Sequence, residues 1–386
     1  MFYKFRNRFA LLVTVFVAAL SLFASACSSS DSSSNAGSSS SVSSSSSSSS
    51  DSSSNEEVSL ETPSIVVTTN ILGDVVTSMV GDLFEVETIM PPGADPHVFQ
   101  ASAQQVNLMM EADLLVVNGA NFEEGLLDVI ESAESDGVMV VEAISFVEVI
   151  ESDGHDDHDD HEEEGHDDHD DHDEEGHDDH DDHDEEGHDD HDDHEEEGHD
   201  DHAHHDHGGV DPHFFTDPAR MASVVEGLTA FLVENFPDVD QESLLTNSNA
   251  YLSELNSLDS EVEEMLSSIP EGSRKLITNH SVFAYFADRY DFEILGSIIQ
   301  SSSTLDSASA KDLADLVSVI EDENVSAIFA DAASSNTLAQ VLAEEAGNIE
   351  VITLFTESLG EAGSAGSTYL DMVRTNGELI TGGLTN

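Results

Sequence analysis

The chain has 386 residues, with 83 acidic side chains against 9 basic ones and a formal charge of −74 at pH 7. This charge excludes nucleic-acid binding, because proteins neutralise phosphates with lysine and arginine. The single cysteine excludes an intramolecular disulfide and a cysteine-rich zinc finger. The length allows two ordinary domains once the segments of non-globular composition are set aside.

Residues 1–26 have the composition of a secretory signal peptide. Basic side chains precede an apolar run over 9–23, and small residues follow at 24–26. Cys27 comes next, and this arrangement resembles the bacterial lipobox, in which the cysteine is lipidated and becomes the mature N-terminus. We therefore expect export and a lipid anchor at Cys27, on the outer face of the bacterial cell membrane or on its periplasmic side. The alternative is ordinary signal cleavage beside an incidental cysteine.

A flexible tether is predicted for 27–63. Serine occupies 21 of the 27 positions over 28–54. Such a segment buries too little apolar surface to offset the entropy lost on ordering it. A flexible chain of roughly 30 residues has an end-to-end distance of about 30 Å, which is enough to hold a folded domain clear of a membrane.

A first lobe is predicted over 64–153 and 208–238. Short β-branched runs alternate there with amphipathic stretches of helical length. Alternating strands and helices favour a parallel sheet with helices on both faces. The predicted strands are 65–69, 84–90, 114–118 and 138–141, and the predicted helices are 72–80, 102–112 and 123–134.

Residues 154–207 interrupt this lobe with an eleven-residue repeat, Gly-His-Asp-Asp-His-Asp-Asp-His followed by three acids. From 151 to 207 there are 33 acids, 17 histidines and no lysine or arginine. A glycine in each repeat and the lack of an apolar seam predict a disordered loop rather than a supercoiled helix.

The segment 239–269 contains a long predicted helix, 241–268, whose apolar residues recur at helical spacing. At 1.5 Å per residue it would be roughly 42 Å long, enough to span two lobes. The second lobe, 270–386, repeats the alternation of strands and helices, which predicts an α/β fold with two mostly parallel sheets joined by one long helix. Its predicted strands are 276–278, 292–299, 327–330 and 349–355, and its predicted helices are 282–290, 309–322 and 336–346.

Only three histidines lie outside the acidic loop, at His97, His213 and His280. His97 follows the predicted strand 84–90, and His280 lies two residues beyond the predicted strand 276–278. In open α/β sheets, ligands bind beyond the carboxyl ends of strands. Both His97 and His213 end an Asp-Pro-His tripeptide, in which the nearby carboxylate is able to orient the imidazole. The three residues are candidate metal ligands, although each alone is also compatible with an ordinary structural histidine.

Three neutral imidazoles need one anionic ligand to complete a tetrahedral metal site. Two acids end predicted strands of the second lobe, Asp331 after 327–330 and Glu357 after 349–355. Spacing alone leaves both open as the fourth ligand.

Several motifs resemble those of the zinc/manganese solute-binding proteins of bacterial ABC importers. The match runs in the family's order from about residue 65 to the C-terminus. The histidine motifs are Gly-Ala-Asp-Pro-His at 93–97, Asp-Pro-His-Phe at 211–214 and Asn-His-Ser-Val-Phe-Ala-Tyr-Phe at 279–286, and the last acidic motif is Phe-Thr-Glu-Ser-Leu at 355–359, followed by Thr-Tyr-Leu-Asp-Met at 368–372. The chain departs from the family at Phe214-Phe215, where tryptophan is frequent, at Ser281, and at Glu357, where aspartate is common.

The resemblance implies a metal held in the cleft between two lobes, by His97 and His213 from the first lobe and by His280 and Glu357 from the second. It favours Glu357 as the fourth ligand, because Glu357 stands in the last acidic motif, whereas Asp331 matches a family acid that is not usually a ligand. It implies a membrane permease as partner, and we expect the chain to be a monomer. The family's zinc-specific branch carries a histidine- and acid-rich loop just before the second histidine motif, which is where 154–207 lies.

Three imidazoles and a carboxylate suit Zn²⁺, whereas Mn²⁺ favours more oxygen ligands. We therefore expect an extracytoplasmic protein that captures Zn²⁺ as cargo and delivers it to an ABC permease. The alternatives are a manganese importer component, a secreted zinc-dependent hydrolase with three histidine ligands, and a surface metal buffer or adhesin. The sequence contains no His-Glu-x-x-His, Gly-x-Ser-x-Gly or phosphate-binding glycine motif, so no enzyme is predicted.

The acidic loop has three alternative roles. It is a solvated charge run without specific function, an antenna that binds several zinc ions weakly and passes them to the cleft, or a sensor that reports zinc sufficiency and slows transport. Zinc binding by the loop should weaken in acid, because only neutral imidazole is a ligand.

Overall fold

The computed structural model describes residues 62–151 and 209–385. The predicted signal peptide 1–26, Cys27, the tether up to residue 61 and the loop 154–207 lie outside the described residues.

The first sheet contains four parallel strands in the order β2-β1-β3-β4. The strands are β1 (Ser64–Val67), β2 (Glu85–Thr88), β3 (Leu114–Val117) and β4 (Val140–Glu142). The helices of this lobe are α1 (Asn70–Val80), α2 (Ala103–Glu111), α3 (Leu127–Ser135) and α4 (Pro218–Asn235). Every residue of β3 is buried, as expected for a parallel strand covered by helices on both faces. All the strands and helices predicted for this lobe are confirmed within a few residues.

The long helix α5 (Gln241–Leu266) begins where the Asp240 side chain accepts a hydrogen bond from the Ser243 N–H. Its buried face packs against α1 and α4 on one side and against the C-terminal helix on the other. This confirms the predicted helix that joins the two lobes.

The second sheet also has four parallel strands, in the order β6-β5-β7-β8. The strands are β5 (Lys275–His280), β6 (Glu293–Ile299), β7 (Ala327–Asp331) and β8 (Glu350–Leu354). The helices are α6 (Ala284–Tyr290), α7 (Ala310–Glu323), α8 (Thr337–Glu345) and α9 (Tyr369–Thr385). The expectation that His280 lies beyond its strand is wrong, because β5 continues and His280 is its last residue.

Two helices were not predicted. Of α4, only the start at Asp217-Pro218 was recognisable, and Asp217 does accept the Ala219 N–H there. Helix α9 contains three glycines, which lower helix propensity. One of them, Gly383, packs so closely on β8 that a Cβ would overlap the Ile352 side chain. Tertiary packing therefore stabilises α9 where local propensity does not.

One continuous apolar core joins the two lobes. It extends from Ile65 and Val116 of the first sheet, through Leu255 and Leu258 of α5, to Phe329 of the second sheet. Among residues 62–151 and 209–385, no helix combines the length and the apolar character needed to cross a bilayer.

Candidate metal centre

His97 lies in the connection that follows β2, and only 2% of its surface is exposed. Its backbone N–H donates to the Asp95 carboxylate at 3.0 Å. Its Nδ1 lies 3.0 Å from Glu124 Oε1. The first Asp-Pro-His tripeptide therefore uses its aspartate to hold the backbone, and a different carboxylate orients the ring. Glu124 was not predicted from the sequence, although its place shortly after β3, at the carboxyl edge of the sheet, is a usable signal.

His213 is fully buried and comes a few residues after the second described segment begins. Asp211 accepts its backbone N–H at 2.9 Å, as Asp95 does for His97. Here the same Asp211 oxygen also lies 2.7 Å from Nδ1 of the ring. The expected orientation of the imidazole by the tripeptide's own aspartate is thus observed at His213 but not at His97.

Glu357 lies where these two histidines meet His280. Its Oε1 is 2.8 Å from Nε2 of His97, 3.2 Å from Nε2 of His213 and 3.0 Å from Nε2 of His280. One nitrogen or oxygen from each of the four residues lies within 4.8 Å of all the others. The four predicted candidates are therefore brought together between the lobes, and all four are buried.

Asp331, the alternative acid, lies outside this cluster. It ends β7, next to β5, and its carboxylate accepts hydrogen bonds from the Thr356 hydroxyl at 2.5 Å and the Ala333 N–H at 3.1 Å. Burial raises the pKa of Asp331, and the charge of Glu357 raises it further.

Opposite charges set the protonation of the cluster. Burial alone would lower the pKa of His97, but the Glu357 charge and the contact with Glu124 raise it from 6.5 to about 10. Burial likewise opposes the charged form of Glu357, yet His280 and His97 hold the pKa of this carboxyl well below 4.5. At neutral pH the metal-free cluster therefore holds at least one proton that a metal ion must displace, because only neutral imidazole is a ligand.

An aromatic and acidic wall, also not predicted, supports the cluster from the first lobe. The Phe122 ring packs edge-on against His97 and His213, with ring centroids 5.1 and 5.5 Å apart. Next to it, the buried Glu123 carboxylate accepts the Thr68 hydroxyl at 2.5 Å and the Asn118 N–H at 2.6 Å. Burial raises the pKa of Glu123. These contacts hold the turn that carries Glu124 in place.

A cavity of about 350 Å³ lies beside His97. Its walls include Glu124 and Glu142, whose carboxylates favour the approach of cations. Val149 and Val210 also line it, and these two residues lie on either side of the predicted acidic loop.

Two parallel-sheet lobes joined by one long helix, with a buried cluster of imidazoles and a carboxylate between them, define the metal-binding solute-binding proteins of ABC importers. A family model described as the periplasmic component A of the zinc-uptake complex matches residues 65–383, and the chain belongs to this family.

The chain is similar in sequence to relatives that are named for different metals. The manganese-binding lipoprotein MntA of Halalkalibacterium halodurans is 22% identical over 322 residues, covering 83% of this chain and 88% of that protein. The zinc-binding protein TroA of Treponema pallidum is 25% identical over 335 residues, covering 83% of this chain and 89% of that protein. The family to which the chain belongs consists of substrate-binding components of ABC transporters, so the chain is not an enzyme.

Solved structures show the same fold. The periplasmic zinc-binding protein TroA from Treponema pallidum has a TM-score of 0.64 at 23% identity, covering 84% of this chain and 99% of that chain. The manganese-bound periplasmic metal-binding protein from Candidatus Liberibacter asiaticus has a TM-score of 0.63 at 17% identity, covering 83% of this chain and 99% of that chain. The α/β fold with two lobes is therefore confirmed.

Proposed function

We propose that this protein captures Zn²⁺ outside the cytoplasm and delivers it to the membrane permease of an ABC importer. In this proposal His97, His213, His280 and Glu357 are the zinc ligands. The observation that carries it is the convergence of three Nε2 atoms on one Glu357 oxygen at 2.8–3.2 Å. Three imidazole nitrogens and one carboxylate are a ligand set that zinc adopts in proteins.

Manganese is the second candidate, and one specific observation favours it. Glu357 Oε2 is buried and has no hydrogen-bond partner among the described residues. A carboxylate that binds through both oxygens raises the coordination number, which suits Mn²⁺ better than tetrahedral Zn²⁺. The relatives named above include both manganese- and zinc-binding proteins.

A competition titration combined with X-ray absorption spectroscopy tests the choice of metal. We expect Zn²⁺ to bind at least ~100-fold more tightly than Mn²⁺, with three nitrogen ligands at about 2.0–2.1 Å and one oxygen ligand. Affinity alone separates the two candidates poorly, because most sites with nitrogen ligands bind Zn²⁺ more tightly than Mn²⁺. The coordination number is therefore the sharper readout. Six-coordinate bound metal with mostly oxygen neighbours, together with similar affinities for the two ions, would contradict the zinc assignment.

We propose that the acidic loop 154–207 is a capture antenna for this site. Two observations support this proposal. The segment 151–207 contains 17 histidines. Val149 and Val210, on either side of the loop, line the cavity beside His97. The loop's high negative charge would concentrate divalent cations near this cavity, although salt screens the effect beyond about 10 Å.

Deletion of residues 154–207 tests the antenna. We expect the deletion to remove weak, multi-site zinc binding and to leave one tight site, because the four proposed ligands lie outside the loop. Isothermal titration calorimetry of the full-length and shortened proteins measures both classes of site. Loss of the tight site in the shortened protein would show that the loop itself contributes to it, which the antenna proposal does not allow.

The remaining parts of the proposal concern location and organisation. We propose that Cys27 is lipidated and that 27–63 tethers the folded part to the outer face of the membrane, as a monomer. The support is the lipobox-like sequence before Cys27 and the word lipoprotein in the names of relatives such as MntA. We also propose a first lobe over 64–153 and 208–238, a linking segment over 239–269 and a second lobe over 270–386.

A further inference from the structure

Tyr285 links the second lobe to the base of the acidic loop. It lies on α6 and is fully buried. Its hydroxyl donates to the Asp211 carbonyl oxygen at 2.7 Å and accepts the Ile150 N–H at 3.1 Å. Ile150 lies just before the segment that contains the loop, and Asp211 lies just after it. One hydroxyl from the second lobe therefore contacts the chain on both sides of the loop.

The same two residues are joined directly, and one of them orients a proposed ligand. The Asp211 N–H donates to the Ile150 carbonyl oxygen at 2.8 Å. The Asp211 carboxylate then holds both the backbone N–H and the Nδ1 of His213. A short path of hydrogen bonds therefore leads from Tyr285 through Asp211 to His213.

Arg220 of α4 keeps the Tyr285 ring in place. Its guanidinium lies over the ring, 4.8 Å from the centroid, at a distance typical of cation–π contacts. It also donates to the Glu148 carbonyl oxygen at 3.2 Å and to the Asp288 carboxylate of α6 at 2.9 Å. Contacts from both lobes thus fix the direction of the Tyr285 hydroxyl.

A phenylalanine at position 285 would fill the same space as Tyr285 but could not form its two hydrogen bonds. Without the hydroxyl, Ile150 N–H loses its partner and the Asp211 carbonyl loses a donor in a buried environment. The contacts would relax at the base of the loop, next to His213. The outer hydrogen-bond partners of metal-bound histidines commonly change metal affinity 10–100-fold, because they set the direction of the ring.

We propose that Tyr285 is a positioning residue for His213: from the second lobe, its hydroxyl holds Ile150 and Asp211 together and thereby keeps the His213 ring directed at the metal. This inference rests on the proposed function. It follows that His213 is well oriented only while the lobes are packed together, so separation of the lobes on the permease would weaken the site at this histidine first.

The first test replaces Tyr285 by phenylalanine in the otherwise complete protein. We expect zinc affinity, measured by competition with a chromophoric chelator, to fall about tenfold, with a faster dissociation rate. Tyr290→Phe is the matched control, because it removes another hydroxyl from α6, one that donates to Asp259 of α5 at 3.1 Å rather than to the residues beside the loop. The control should lower the melting temperature to a similar extent and leave zinc affinity unchanged.

The second test asks whether the effect passes through His213. In a His213→Ala background, Tyr285→Phe should cause no further loss of zinc affinity, whereas in a His97→Ala background it should cause its full loss. Unchanged affinity in Tyr285→Phe, or equal losses in both backgrounds, would overturn the inference. Failure of the wild-type protein to bind zinc tightly would instead overturn the proposed function, and the inference with it.

Discussion

Replacing Glu357 by glutamine is expected to weaken zinc binding at least ~100-fold, which corresponds to about 2.7 kcal/mol. The amide keeps the shape of the side chain but removes the only anion of the proposed ligand set from a buried site, where charge interactions are strong. Zinc titration in a metal-buffered solution measures the loss. Glu361→Gln is the control, because Glu361 is exposed and close in sequence, and it should bind zinc like the wild type.

The same replacement should change the metal-free protein in a pH-dependent way. Because the pKa of His97 is raised in the folded state, protonated His97 stabilises the fold. This contribution is complete below pH 6.5 and is lost as the pH rises through about 10. Because the pKa of Glu357 is lowered in the folded state, its ionised carboxylate stabilises the fold above pH 4.5. This contribution is lost in more acidic solution. Glu357→Gln should therefore lower the unfolding free energy most between pH 4.5 and 6.5, by about 3 kcal/mol.

Proton release gives an independent readout of the Glu357 contact. The wild-type protein should release at least one proton per zinc ion at pH 7, and its zinc affinity should rise with pH in the neutral range. The variant should release fewer protons, because the charge that raises the pKa of His97 is gone. Equal proton release by both proteins, measured by calorimetry in buffers of different ionisation enthalpy, would show that Glu357 does not set the protonation of the cluster.

Gly125 is exposed, yet its replacement by alanine is expected to lower the unfolding free energy by about 3 kcal/mol, the upper end of the cost of forcing added atoms into a close contact. The new Cβ would overlap the carbonyl oxygen of Phe99, which is backbone and cannot rotate away. Phe99 lies in the turn that carries His97, and Gly125 is next to Glu124, which contacts the His97 ring. Zinc affinity should therefore fall together with stability, by roughly tenfold.

Gly272→Ala is the matched control for this change. Both glycines lie in the middle of a single 3-10 turn, at 124–126 and 271–273. A Cβ at Gly272 meets no atom within 4 Å, so the control should change neither chemical denaturation nor zinc affinity. If Gly125→Ala proved as stable and as tight-binding as this control, the close packing between the 124–126 turn and the His97 turn would not matter for the site.

Local patterns predicted most of the regular structure correctly. Strands such as β3 and β7 are buried on both faces, so they appear in the sequence as short apolar runs without alternation. Helix α5 shows its apolar face at helical spacing. Helix α9 was not predicted because its three glycines lower helix propensity. Gly383 among them packs closely on β8, and that contact is a property of the folded chain.

The choice between Glu357 and Asp331 as the fourth ligand could not be made from local sequence pattern. Both acids come at or just after the end of a second-lobe strand, so spacing places both at the same edge of the sheet. The cluster contains Glu357 because the connection after β8 docks on the first lobe. There, Asn70 donates to the Ser358 hydroxyl at 2.8 Å and accepts the Leu359 N–H at 2.7 Å. Asp331 turns instead to Thr356.

The primary structure specifies the kinds of side chain available for a metal, the order in which they occur and the strand ends that present them. Those features depend on residue type and on contacts between near neighbours along the chain. Packing between elements and between lobes selects which carboxylate faces the imidazoles, places Glu124 rather than Asp95 against the His97 ring, and brings Tyr285 to the base of the loop. These arrangements join residues from different strands and lobes, and side-chain direction across such distances depends on how the elements pack.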